Sequence, residues 1–112
     1  MWRVQIIITM LAVVLTAKIG TIQFEGHKET WYDLNMAKVV LRTDKAFGMT
    51  DLYHVREDGV KMYGPWVICA AHPSKIRYSR IQTSLGEGII LDTHTANDTE
   101  LIDIATTWKE QR

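Results

Sequence analysis

Two aspartates, Asp92 and Asp103, break the apolar runs Ile89-Ile90-Leu91 and Leu101-Ile102 to Ile104-Ala105 near the end of the chain. Each run is bounded by turn-forming residues and reads as a short buried strand, so the two together predict an antiparallel hairpin carrying two carboxylates into an apolar setting. A charge in such a place is costly. It must find partners or stay protonated with a raised pKa, and a carboxyl protonated near neutral pH is what a general acid requires.

The chain has 112 residues, 46% hydrophobic and 23% charged, which suits one compact domain with a modest core. Its formal net charge is zero, and no cluster of Lys and Arg is interleaved with aromatics. Nucleic acid is therefore not an expected partner. The single cysteine, Cys69, lies in the apolar run Trp66-Val67-Ile68-Cys69-Ala70-Ala71, which excludes an intrachain disulfide and a cysteine-based metal site. It reads as a small buried hydrophobe.

Residues 1–18 begin with Met1-Trp2-Arg3, continue through about fourteen mostly apolar residues and end at Lys18. That length fits the hydrophobic region of a signal peptide and falls short of the roughly 20 residues of a spanning helix. Export to the cell envelope or the extracellular space is expected, with an uncleaved membrane anchor as the alternative and a core strand as the plainer reading. Residues 19–112 then form the folded domain.

Within that domain, residues 21–25 alternate polar and apolar, and residues 28–34 are β-prone. Apolar positions 36, 39, 40 and 47 approach helical spacing, with Asn35 as a candidate cap and Gly48 as a stop. Asp58-Gly59 and Gly64-Pro65 mark turns, residues 66–71 a buried strand, and residues 85–88 a further glycine-rich turn. Several short strands and one or two short helices predict a mainly β fold, a small barrel.

Asp92 and Asp103 are the candidate catalytic groups, with Thr93 and Thr95 adjacent to the first. Each alone also fits a plainer role, Asp92 bonding its own turn and Asp103 held by backbone amides. His72 follows the 66–71 strand and His94 follows Asp92 closely, so both are candidate substrate-binding groups, as is Thr93. Their spacing matches no compact metal motif, and no metal is expected. His27 and His54 read as loop residues. Among the aromatics, Tyr32 is a candidate for lining a sugar-binding groove. No phosphate loop, nucleophile elbow or dinucleotide fingerprint is present, so no cofactor is expected. Nothing in the pattern specifies an oligomeric state.

Residues 29–108 resemble the 3D domain, named for three aspartates, of bacterial cell-wall hydrolases. That domain is related to the catalytic barrel of the membrane-bound lytic transglycosylase A family and to expansin and RlpA-like double-psi β-barrels. The resemblance rests on the 66–73 segment, the turn and strand at 83–90, Leu91-Asp92-Thr93, and Leu101-Ile102-Asp103-Ile104-Ala105. It implies a six-stranded double-psi barrel with a groove for peptidoglycan glycan strands. It further implies that Asp92 acts as a single general acid and then base on the bond between N-acetylmuramic acid and N-acetylglucosamine, with Asp103 as its support. Two departures stand out: His72 takes the place of the first family aspartate, and the usual Asp-Thr-Gly-Gly becomes Asp92-Thr93-His94-Thr95. They make a catalytically silent barrel that binds glycan or a protein partner the alternative expectation.

Overall fold

The computed structural model describes residues 21–108, and the leader expected at 1–18 lies outside them. The fold is mainly β, with the order β1 (Ile22–Phe24), β2 (His27–Tyr32), α1 (Ala37–Phe47), β3 (Tyr53–Val55), β4 (Lys61–Tyr63), β5 (Trp66–Ala71), β6 (Arg80–Thr83), β7 (Gly86–Thr93) and β8 (Ile102–Ala105). Among the described residues no helix is long and apolar enough to cross a membrane.

Strand β5 organises the sheet. Residues 67–71 are buried throughout, as expected of an apolar run covered on both faces. One edge pairs in parallel with β7. The other pairs antiparallel with β4 at the start of the strand and with β8 at its end. β8 then pairs in parallel with β2, β2 antiparallel with β1, β4 with β3, and β7 with β6. Among the described residues there are eight strands where the resemblance implies six, and the pairings between them do not close into a ring.

The period-two alternation of side chains separates two cores. Val67, Cys69, Ala71, Ile90, Ile102 and Ile104 pack on one face with Val60, Met62 and Leu85. Ile68, Ile89, Leu91, Ala105 and Tyr63 pack on the other, under Met36 and Val39 of the helical segment. The expected helical stripe is thus the face α1 buries. Gly48 ends the helix in the left-handed conformation at φ 64°, as its position predicts. Asn35 serves the start differently from a cap residue: Met36 occupies the cap position, while the Asn35 side-chain oxygen accepts from Ala37 N at 2.9 Å.

Two expectations need correction. The strands bearing Asp92 and Asp103 do not form a hairpin, because β5 lies between them. The turn expected at residues 85–88 sits one residue earlier, at Ser84 and Leu85, and is closed by the pairing of Thr83 with Gly86, where β7 already begins. Gly88 is small for a packing reason: a Cβ there would sit 2.6 Å from Cys69 Sγ and 3.2 Å from the Val67 carbonyl oxygen.

Candidate functional site

The two aspartates meet across β5 rather than across a turn. Asp92 is in register with Ala70 on one side and Asp103 is in register with the same Ala70 on the other. Two strand spacings put their Cα atoms roughly 10 Å apart. Ala70 presents only a methyl group between them.

A one-residue irregularity makes this possible. Cys69 pairs with Ile90 but Ala70 pairs with Asp92, leaving Leu91 without a counterpart. Ile90 packs in the first core, and strict alternation would send Asp92 to that same face. The extra residue re-aims Asp92 toward the face that Ala70 shares with Ile68, which is the α1 side. Asp103 alternates with Ile102 and Ile104, both in the first core, and so faces the α1 side as well.

Both aspartates are half-buried rather than fully enclosed as their apolar flanks suggest. Asp92 Oδ1 accepts from Thr93 N at 2.9 Å, the plain turn-bonding role that was one expectation for it. Asp103 Oδ1 accepts from Thr30 Oγ1 at 2.8 Å. Thr30 pairs with Asp103 through β2 and β8, so one row of the sheet runs Thr30, Asp103, Ala70, Asp92.

Tyr32 joins this row from the next position on the same face of β2, opposite Ala105. Its hydroxyl is buried and has no hydrogen-bond partner among the described residues. Burial first, then the negative charges of Asp92 and Asp103, push this phenol well above its ordinary range. Tyr32 is therefore a permanent O–H donor beside two carboxylates.

Arg42 makes a tie to β7 that the linear pattern hides. It lies on α1 and donates from Nη2 to the Leu91 carbonyl at 2.6 Å, which ties the helix to the irregular residue of β7. Its Nε is buried without a partner among the described residues. The available signal was its spacing, three residues after buried Val39 and adjacent to buried Thr43. Thr30 was equally hidden, since only the parallel pairing of β2 with β8 brings it to Asp103.

The histidines lie beyond the ends of β5 and β7, with ring centroids 6.3 Å apart. His72 Nδ1 accepts from Ser74 N at 3.1 Å and lies 2.8 Å from Ser74 Oγ. His94 Nδ1 accepts from Ala96 N at 3.2 Å, which leaves its Nε2–H to donate to the Leu101 carbonyl at 2.7 Å. Both imidazoles are thus engaged in shaping loops, and Thr93 is exposed at the mouth of the site. Among the described residues no group of three His, Cys, Asp or Glu is arranged to hold a metal ion.

The other expectations resolve simply. Cys69 is fully enclosed, and burial followed by the charges of Glu29 and Asp103 pushes its thiol far up, so it is a packing residue. His27 is not a loop residue: it opens β2, is buried, and lies 2.8 Å from Glu29. His54 lies in β3 and is exposed. A recess of about 580 Å³ opens beside the start of α1, lined by Met36, Val40, Leu41 and Lys61 among others, and none of the carboxylate row lines it.

Comparison of the chain with protein-family models, with curated proteins and with solved structures finds no match.

Proposed function

We infer that the chain cleaves peptidoglycan glycan strands as a lytic transglycosylase, with Asp92 as the acid and base. The observation that supports this reading is the pairing of Asp92 and Asp103 across Ala70, on the face where Tyr32 brings a buried hydroxyl. The two parallel pairings, β5 with β7 and β2 with β8, support a double-psi arrangement of the strands.

In this reading protonated Asp92 donates to the glycosidic oxygen as the bond from muramic C1 breaks. The muramic 6-hydroxyl oxygen then bonds to C1, and its proton returns to Asp92. No water is consumed and the product is a 1,6-anhydro sugar. Acid and base action of this kind contributes about 10²–10⁴-fold in rate. Asp103, held by Thr30, stands on the other side of Ala70 as the supporting carboxylate. Export, with or without a retained membrane anchor, would bring the domain to this substrate.

A second reading is a silent barrel that binds glycan. It is favoured by the loop after Asp92, where the His94 ring is hydrogen-bonded at both nitrogens in place of glycine backbone. Mass spectrometry of sacculi digested with the full chain, beside Asp92→Asn, separates the two. Anhydro-muropeptides from the native chain alone support the enzyme. Sacculus binding without products selects the binder, and products from Asp92→Asn rule out this assignment.

A further inference from the structure

We propose that Arg42 is a positioning residue for Asp92: by holding the Leu91 carbonyl it fixes the backbone step that turns the Asp92 side chain onto the face it shares with Asp103. The orientation follows from the fold alone, and its consequence for turnover rests on the glycan-cleaving reading above.

Strand β7 is anchored on both sides of this step. Before it, Ile90 N donates to the Ser79 carbonyl at 3.0 Å and the Ile90 carbonyl accepts from Tyr78 N at 2.7 Å. After it, His94 N donates to the Ala71 carbonyl at 3.0 Å. Between these anchors lie Asp92 and Leu91, the residue without a counterpart in β5. Leu91 is fully buried, so its backbone groups cannot turn to water and need partners inside the fold. Arg42 supplies one, donating from Nη2 to the Leu91 carbonyl at 2.6 Å.

That bond acts directly on the next residue. The Leu91 carbonyl and the Asp92 amide nitrogen belong to one planar peptide group, so the direction of the carbonyl sets the direction in which the Asp92 backbone starts and therefore where its Cβ points. Bulges re-aim side chains in this way, and they do so reproducibly only when the extra peptide group is held. Donor and acceptor share a rigid mount. Val39, on the same helix as Arg42, packs in the core that encloses the Leu91 side chain. The planar guanidinium fixes the direction of its N–H groups, which a freely rotating ammonium does not.

The test compares the native full chain with Arg42→Met and Arg42→Lys by amide NMR, by digestion of purified sacculi and by urea unfolding. Thr93 N donates to Asp92 Oδ1 at 2.9 Å, so the Thr93 amide resonance reports the aim of Asp92. In folded Arg42→Met the Asp92 and Thr93 resonances are expected to move while those of Thr30 and Asp103 stay. The maximal rate of sacculus cleavage should fall roughly ten- to hundred-fold at an unchanged half-saturating concentration. Arg42→Lys keeps a donor but not the fork, and should show the same changes at smaller size. A tie that only stabilises the fold lowers the urea midpoint and leaves the Thr93 resonance and the maximal rate of the folded protein as in the native chain, and that result overturns the inference. Where Arg42→Met does not fold, Arg42→Lys is read in its place. If the native chain cleaves nothing, the glycan-cleaving reading falls and the Thr93 resonance alone decides whether Arg42 positions Asp92.

Discussion

Asp92 and Asp103 stand in one row of the sheet, on opposite sides of Ala70, although no hairpin joins their strands. Only β5 separates them, and the residue it contributes at that point has a side chain too small to shield one carboxylate from the other. Ala70 is itself 3% exposed and cannot turn away. The size of this one side chain therefore governs how much room lies between the carboxylates.

Enlarging it tests that relationship. Ala70→Val adds two methyl groups on the face shared with Ile68, and overpacking of this kind costs about 1–3 kcal/mol. A structural role alone predicts that stability falls while the activity of the folded fraction persists. The glycan-cleaving role proposed above predicts a loss of at least about ten-fold in sacculus cleavage beyond the unfolded fraction. Urea unfolding and digestion rates on the same preparation separate the two.

The elements were legible where local chemistry determines them. The run at 66–71 is apolar enough to be a strand covered on both sides, the stripe at 36, 39, 40 and 47 has one partner face, and Gly48 and Gly59 take positive φ where the pattern calls for a stop and a turn. The two aspartates were legible because a carboxylate among Ile and Leu is chemically conspicuous. Their pairing was not, because β7 and β8 follow each other in the chain while each pairs with β5, a partner that loop length does not reveal. The unpaired Leu91 is invisible for a related reason: Ile89, Ile90 and Leu91 are all apolar, so no change of alternation marks the shift. Arg42 reads as an ordinary helical cation until the fold brings it to a carbonyl 49 residues away.

Glu29 carries a second prediction. It is 1% exposed, lies 2.8 Å from His27 Nε2, and accepts from Ser84 N at 3.0 Å and Ser84 Oγ at 2.6 Å. It thereby ties β2 to the loop between β6 and β7. Glu29→Ala strands buried His27 and takes the acceptor from the half-buried Ser84, and should cost about 3–5 kcal/mol in urea unfolding. Glu29→Gln keeps an acceptor for Ser84 and should cost less. Equal stability of Glu29→Ala and the native chain would mean that the network contributes nothing.

Asp58 predicts a pH dependence of stability. Partial burial acts to raise its pKa, but the paired hydrogen bonds from Arg56 at 3.0 and 2.8 Å, the Val60 amide and the Arg56 charge outweigh it and hold the carboxyl below its ordinary 3.8. A carboxyl depressed in the folded state stays ionised there after the unfolded chain has taken up its proton. Its contribution is therefore complete above 3.8 and disappears as the pH falls through the lower, folded value. Asp58→Asn should cost about 1 kcal/mol at neutral pH, a modest figure because solvent reaches both side chains. The gap from the native chain should close as unfolding is followed below 3.8. A gap that stays constant with pH would show that the ion pair is not its source.

The last prediction concerns the contact that lets β7 lie against β5. Gly88 pairs with Val67, and an added Cβ would meet Cys69 Sγ at 2.6 Å and Thr83 Cγ2 at 3.2 Å. All three neighbours belong to strands, and Cys69 is fully buried, so none can withdraw without moving the sheet. Gly88→Ala should cost about 1–3 kcal/mol by overpacking. Cys69→Ala removes the sulfur that the new methyl would strike, so the double variant should recover part of that loss in urea unfolding. Additive costs would indicate that the Val67 backbone, rather than the thiol, sets the limit on this approach.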